Sequence, residues 1–187
     1  MKSASFVQDV IQKSTRIFSK EEVEVALDKM AEGITKKLGD KHPILLCVLV
    51  GGIVPMGNLL MRLNFPLEVD YVHVTRYASG LVGRDLIWKA KPSRDLKDRH
   101  VLIVDDILDG GITLGALVDA VKQMGADSVY TAVVVDKHHQ RDPFGLKQAD
   151  FVGLEVEDRY VFGFGLDYKE YFRNMPGIYM VAKEHEY

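Results

Sequence analysis

Two adjacent aspartates, Asp105 and Asp106, follow the all-apolar run Val101 to Val104, and a third, Asp109, comes after Ile107 and Leu108. Gly110, Gly111, Ile112 and Thr113 follow, then a stripe of Leu114, Leu117, Val118, Val121 and Met124 that Gly125 closes. The apolar run is too short and uniform for an amphipathic helix and suits a strand covered on both faces. The stripe has helical spacing, and a glycine is a usual helix stop. The segment 105-DDILDGGIT-113 is therefore predicted to be a strand-to-helix turn in an α/β unit.

A simple capped turn would use Asp109 or Thr113 as the cap and the glycines for their backbone angles. That accounts for one aspartate and one glycine. It leaves unexplained an adjacent acid pair at the mouth of a buried strand, where ionised carboxylates are costly without partners. An anion site explains more: N–H groups from Gly110 to Thr113 at a helix N-terminus, with the Thr113 hydroxyl, would hold a phosphate by fixed dipoles. Asp105 and Asp106 would repel that phosphate, so they must meet sugar hydroxyls, a metal, or both. A P-loop is excluded, since the G-x-x-x-x-G-K-[ST] pattern is absent and the turn has no lysine. Gly163-Phe164-Gly165 lacks the third glycine and following helix of a dinucleotide fingerprint. A ligand with a phosphate and vicinal hydroxyls is a ribose 5-phosphate.

Other elements must bring partners to this turn. Ser19-Lys20-Glu21-Glu22 is a capping-box pattern, and Val23, Ala26, Leu27, Met30, Ile34 and Leu38 predict a helix that ends at Gly39. Next come a buried strand, 44-ILLCVLV-50, the pair Gly51-Gly52, and a helix whose early Pro55 is tolerated in the first turn. Residues 67–77 read as a third strand, and 86–88 as a short one. The long polar connection around them, about 76–97, reads as a lid. Residues 129–136 form another buried strand ending at Asp136-Lys137; 149–156 and 160–168 read as shorter strands, with a last apolar segment at 177–181. The expected fold is α/β, a mostly parallel central sheet with helices on both faces, in one domain spanning 1–187. Ligands of such sheets bind at the carboxyl ends of the strands. Val50-Gly51-Gly52, Asp105 to Thr113 and Lys137 would all lie there.

Composition narrows the function classes. The chain has 187 residues, 47% of them hydrophobic, enough for one core and short for two. A net charge of −3 argues against a nucleic-acid-binding surface over the whole molecule. No signal peptide, membrane span or lipidation motif is apparent, so no membrane partner is expected. The lone cysteine, Cys47, sits in an apolar run and reads as an inert buried thiol, which fits a soluble cytoplasmic protein. His138-His139 suggests a metal at first sight, but adjacent imidazoles rarely chelate one ion and no cysteine or third histidine is close; they read as loop residues.

The stretch 101-VLIVDDILDGGITL-114 resembles the phosphoribosyl-diphosphate binding signature of type I phosphoribosyltransferases. Lys137 and 158-DRYVFGFGLDYKEYFRNMPGI-178 resemble the hypoxanthine-guanine members in particular, and the resemblance runs from about Ile44 onward. It implies that fold with a small hood built from the N-terminal segment and about 150–187. It further implies transfer of a phosphoribosyl group to a purine, with Mg²⁺ as cofactor, by a homo-oligomer (dimer or tetramer). In that family's pattern Asp105 and Asp106 contact the ribose hydroxyls near magnesium. Asp109, Gly110, Gly111, Ile112 and Thr113 hold the 5-phosphate, and Asp109 is the acid or base at purine N7. Lys137 donates to the purine 6-oxygen, Tyr160 stacks on the base, and Val161 and Asp167 meet its other edge. Asp167 is also a candidate ligand of a second magnesium. Arg173, Val50, Gly51, Gly52, Arg76 and Tyr77 fall to pyrophosphate and lid. The chain departs from many relatives in having Val50 where they carry a lysine, and Arg76 where they carry a serine. A lysine on a 6-oxo group disfavours adenine, because an ammonium cannot accept from an amino group. The alternatives are a xanthine-preferring enzyme and a nucleotide-sensing regulator of the same fold; a regulator calls for a basic face or an added DNA-binding segment, and neither is evident.

Overall fold

The computed structural model describes residues 4–76 and 86–186. Tyr77 and much of the predicted lid lie outside them. Along the chain come α1 (Ala4–Lys13), β1 (Thr15–Phe18), α2 (Lys20–Leu38), β2 (Ile44–Leu49), α3 (Ile53–Leu60), β3 (Glu68–Arg76) and β4 (Leu86–Ala90). They are followed by β5 (His100–Leu108), α4 (Ile112–Gln123), β6 (Ser128–His138), β7 (Phe151–Glu157), β8 (Val161–Phe162), β9 (Ile178–Met180) and a final 3₁₀ turn, Lys183–His185.

Six strands form the main sheet in the order β4-β3-β2-β5-β6-β7, all neighbours parallel except β3 with β4. Alternation along the buried strands serves the two faces. Leu45, Cys47, Leu102, Val104, Ala132 and Val134 face the layer of α2 and α3, with Val23, Leu27, Met30, Ile34, Met56 and Leu59. Ile44, Leu46, Val48, Val101, Ile103 and Val133 face α4, with Leu114, Leu117, Val118 and Val121. Strands buried on both sides have no polar face, which is why they read as continuous apolar runs. The capping box of α2 forms as its sequence predicts: Ser19 Oγ accepts from Glu22 N–H and Glu22 Oε2 accepts from Ser19 N–H.

Both ends of the chain build a second, three-stranded sheet in the order β1-β9-β8. Val10 of α1 packs there with Phe162, Tyr168 and Val181. Lys13 bonds Glu184, and His185 Nε2 lies 3.0 Å from Asp9 Oδ2, tying α1 to the 3₁₀ turn. This layer starts later than residue 150, because Phe151–Glu157 pairs with β6 in the main sheet. The strand expected over 160–168 shrinks to Val161–Phe162. Gly163 and Gly165 take φ of 102° and 106°, and a Cβ on Gly163 would sit 2.1 Å from the Gly177 oxygen, so the segment coils instead.

Past β4, one buried carboxylate anchors the chain. Asp70, 5% exposed, accepts from the backbone N–H of Ser93 (2.7 Å), Arg94 (2.8 Å) and Tyr71 (2.8 Å) and from Ser93 Oγ. Burial works to raise its pKa, but the N–H donors outweigh burial and hold the group below its ordinary value. A depressed value adds stability that is present above the unfolded pKa and lost as pH falls through the folded one. Asp70→Ala should therefore lower the unfolding free energy by about 2–3 kcal/mol near neutral pH. In urea titrations the gap from the wild type should narrow at and below about pH 4.

Candidate active site

The connection from β2 leads to β3 on one side and that from β5 to β6 on the other, so a crevice opens between the carboxyl ends of β2 and β5. The acid pair sits deeper than its sequence suggests. β5 stays paired with β6 through Asp105↔Val133, Ile107↔Val135 and Leu108↔Asp136, so Asp105 and Asp106 belong to the strand and only Asp109 to Gly111 form the turn. Asp105 Oδ1 accepts from the Asp106 N–H at 2.9 Å. Burial, and then the charge of Asp106, push the Asp105 carboxyl well above its ordinary value; burial also raises Asp106.

The surroundings of Asp106 are tightly fitted. A Cβ on Gly51 would lie 2.0 Å from Asp106 Oδ2, so no side chain fits there, and one on Gly165 would lie 2.5 Å from the Gly51 oxygen. The Leu49–Val50 peptide is cis, and Val50 is 45% exposed. Arg173 supplies the local countercharge. Its guanidinium lies 2.7 Å from Asp167 Oδ1 and 3.6 Å from Asp106 Oδ2, and donates to the Gly165 oxygen at 2.7 Å.

The turn leaves the start of α4 open. Gly111 is the N-cap at φ 77°, and no side chain caps the helix, neither Asp109 nor Thr113. The first N–H groups of α4 are therefore donors without a side-chain partner from a cap, at the positive end of the helix dipole. The loop between β6 and β7 buttresses this turn: Leu146 N–H donates to the Gly111 oxygen at 2.9 Å, and a Cβ on Gly145 would meet the Gly110 oxygen at 2.3 Å. Arg141 joins the same parts. It donates to the backbone oxygens of Asp109 (3.3 Å), Lys137 (3.2 Å) and Lys147, and pairs with the buried Asp136.

Beside the turn lies a cavity of about 250 Å³ lined by Asp106, Asp109, Lys137, Tyr160, Val161 and Asp167, with Ile107 and Leu166. Lys137 is no solvated strand-end lysine: its side chain is 13% exposed, and Nζ lies 3.2 Å from Asp109 Oδ2 and 3.9 Å from Asp158 Oδ1. Tyr160 packs edge-on against Tyr168 at 5.4 Å, and burial with the Asp167 charge raises its hydroxyl pKa. The tyrosine ring, Val161 and Leu166 thus give an apolar slot whose polar groups converge from β5, β6 and the segment after β8.

Most residues singled out from the sequence meet at this edge. Arg76 closes β3, and Tyr77 lies outside the described residues. Sequence reasoning missed Arg141, Gly145 and His139, whose Nε2 lies 2.7 Å from Asp109 Oδ1. Their loop carries no motif, and only the fold brings it against the turn.

Comparison with known proteins agrees with this geometry. Residues 13–170 match the phosphoribosyl transferase domain family. The chain belongs to that family. Among phosphoribosyltransferases, it is 36% identical over 169 residues to the hypoxanthine-guanine phosphoribosyltransferase of Streptococcus pneumoniae (strain R6), covering 90% of this chain and 93% of that one. The Bacillus subtilis enzyme of the same name is 33% identical over 166 residues, covering 87% and 89%. A crystal structure of a Staphylococcus aureus hypoxanthine phosphoribosyltransferase superposes with a TM-score of 0.86 over 98% of each chain at 24% identity, which speaks for the fold.

The burial of Asp105 leads to a measurable consequence. A carboxyl whose folded pKa is raised weighs on the folded state increasingly as pH rises from its unfolded value, near 4, through its folded one. Asp105→Asn keeps the Oδ1 acceptor and removes that charge. Its melting temperature should nearly match the wild type's at pH 4 and exceed it by a growing margin up to pH 8. Scanning fluorimetry at both pH values checks this; a lower value at pH 8 would mean that the ionised pair is already compensated.

Proposed function

We propose that this phosphoribosyltransferase transfers the 5-phosphoribosyl group of phosphoribosyl diphosphate to N9 of hypoxanthine or guanine, giving IMP or GMP and pyrophosphate in purine salvage. The observation that carries the reading is the cavity in which Lys137 and Asp109 face one another beside an uncapped helix N-terminus. A ribose 5-phosphate fits the N–H donors at Gly110 to Thr113, and its hydroxyls reach back to Asp105 and Asp106. The purine enters the slot of Tyr160, Val161 and Leu166, with its 6-oxygen on Lys137 and its far edge toward Asp167. Asp109 then stands where a proton must leave or arrive at N7.

Asp105 and Asp106 fit Mg²⁺: they are two partly buried carboxylates with raised pKa values and one guanidinium at 3.6 Å from Asp106, a hard oxygen set short of positive charge. Asp167 is the third candidate ligand. Bound there, Mg²⁺ would offset the charge of the departing pyrophosphate. Arg173 lies within reach of that leaving group, together with the backbone of Val50, Gly51 and Gly52. Of the expected lid, residues 86–90 instead pair with β3 and Ser93 and Arg94 are tied to Asp70, while residues 77–85 lie outside the described residues.

We read the protein as cytoplasmic; no helix among the described residues is long and apolar enough to cross a membrane. A homo-oligomer is in keeping with the exposed apolar residues Ile53, Val69 and Tyr71 around the groove between α3 and β3. Xanthine stays a second reading, as the Tritrichomonas foetus relative, 28% identical over 162 residues, is named for all three bases.

Incubation with Mg²⁺, phosphoribosyl diphosphate and each purine in turn, following nucleotide formation, tests the substrate class. Lys137→Ala should reduce kcat/KM for guanine and hypoxanthine by about 10–100-fold while leaving phosphoribosyl diphosphate affinity nearly unchanged. Asp109→Asn keeps the backbone donors of the turn and should cut the rate by about 10²-fold or more at similar affinity. Unchanged 6-oxopurine kinetics in folded Lys137→Ala protein would overturn the base-pocket assignment.

A further inference from the structure

The guanidinium of Arg173 sits among the carboxylates proposed above for a divalent cation. Nη2 lies 2.7 Å from Asp167 Oδ1, and Nη1 lies 3.6 Å from Asp106 Oδ2 while donating to the Gly165 oxygen at 2.7 Å. The other oxygen of Asp167 is engaged as well, since Oδ2 accepts from the Glu170 N–H at 2.8 Å. Two cations drawn to the same carboxylates repel one another, and the repulsion is strong where water is largely excluded. Arg173 in this position therefore competes with Mg²⁺.

The side chain can leave without its backbone. The Arg173 carbonyl oxygen accepts from the Gly165 N–H at 2.9 Å, which fixes the main chain there. Lys169, Glu170 and Phe172, just before it, take φ of 50°, 75° and 70°, a left-handed conformation that non-glycine residues keep only where their surroundings impose it. A second anchorage for the guanidinium is close by. A Cβ on Gly51 would lie 2.0 Å from the same Asp106 Oδ2, so the Gly51-Gly52 turn, to which pyrophosphate is assigned above, begins beside that oxygen. A long side chain, 24% exposed and held at its backbone, can exchange a carboxylate for a phosphate oxygen by rotation alone.

We propose that Arg173 is an exchangeable countercharge: it balances Asp106 and Asp167 while the site is free, and yields them to the divalent cation when a diphosphate takes the guanidinium. The inference rests on the Mg²⁺ and pyrophosphate placements in the reading above. The cation alone binds weakly, because it must compete with Arg173. The diphosphate alone binds weakly too, because drawing Arg173 away leaves two carboxylates without a partner. Each ligand removes the obstacle to the other, and the coupling between them is reciprocal.

Titration of substrate-free protein with Mn²⁺, which takes the same octahedral oxygen sets as Mg²⁺ and whose free ion has a spin-resonance signal, tests the first half. Arg173→Gln and Arg173→Met, each checked by thermal unfolding, should bind Mn²⁺ about 10-fold or more tightly than the wild type. The gain should disappear when Asp106→Asn is added. Titration with inorganic pyrophosphate in the presence of EDTA tests the second half. Asp167→Asn, which releases Nη2, should bind pyrophosphate about 5-fold or more tightly than the wild type, and adding Arg173→Gln should remove most of that gain. An unchanged or weaker Mn²⁺ affinity in the folded Arg173 variants would overturn the proposal, as would a gain that survives Asp106→Asn or a pyrophosphate affinity indifferent to Asp167→Asn. If neither Arg173 variant folds, Asp167→Asn decides alone, since it keeps the arginine. None of these titrations contains a purine. A wild type that forms no nucleotide from any base refutes the transfer reading and leaves their results standing, whereas nucleotide formation together with Mn²⁺ binding that ignores Arg173 refutes the exchange alone.

Discussion

Two adjacent carboxylates, largely withdrawn from solvent at the end of β5, are the constraint around which this site is organised. A strand buried on both faces is a poor place for negative charge, and the like charges of Asp105 and Asp106 make it poorer. The surrounding structure answers in several ways. Asp106 N–H is turned onto Asp105 Oδ1, and Arg173 brings a guanidinium across from the chain's C-terminal part. Gly51 has no side chain where Asp106 needs room. Even the core behind feels the pair: burial, then the charges of Asp105 and Asp106, push the Cys47 thiol up to about 12, which leaves it inert. A carboxylate pair kept in such a place is costly for a scaffold and useful for binding sugar hydroxyls beside a divalent cation.

The second organising element is the loop between β6 and β7. It lies against the turn that starts α4, through the Leu146 N–H to Gly111 bond and the close approach of Gly145 to Gly110. Arg141 binds this loop to Asp109 and Lys137 at once. A shift of this turn therefore cannot occur without disturbing the strand end that bears Lys137. For the proposed function this is a physical basis for holding ribose and base in one geometry, where small misplacements cost much of the rate.

The small sheet plays the matching part from the other side. Phe162 lies between Tyr179, stacked at 5.4 Å, and Phe172, at 4.9 Å, while the Tyr168 hydroxyl donates to the His185 oxygen at 2.8 Å. Tyr168 in turn meets Tyr160 edge-on. Both ends of the chain, through α1, β1 and the 3₁₀ turn, thus set the position of the tyrosine that lines the proposed purine slot, although none of those segments touches it in sequence.

Much of this could be read before any coordinates. Apolar runs at 44–50, 101–104 and 129–136 determine the buried strands, the Ser19 box determines where α2 starts, and the acids, glycines and Thr113 mark the turn proposed to hold phosphate and ribose. Those are local properties: side-chain period, caps and backbone freedom act over a few residues. Three things were not legible. The acids lie inside β5 because pairing with β6, a long-range contact, extends the strand past its apolar run. The 160–168 segment coils because Gly163 and Gly165 must pass close to Gly177 and Gly51, contacts that no local pattern encodes. His139 and Arg141 carry no motif, and they acquire their places only because parallel pairing of β5 with β6 brings the residues just past β6 alongside Asp109, 30 and 32 positions earlier in the chain. The sequence by itself determined which chemistry the chain can hold, whereas tertiary structure decided which side chains surround each reacting group, because those neighbours are set by strand register and not by spacing along the chain.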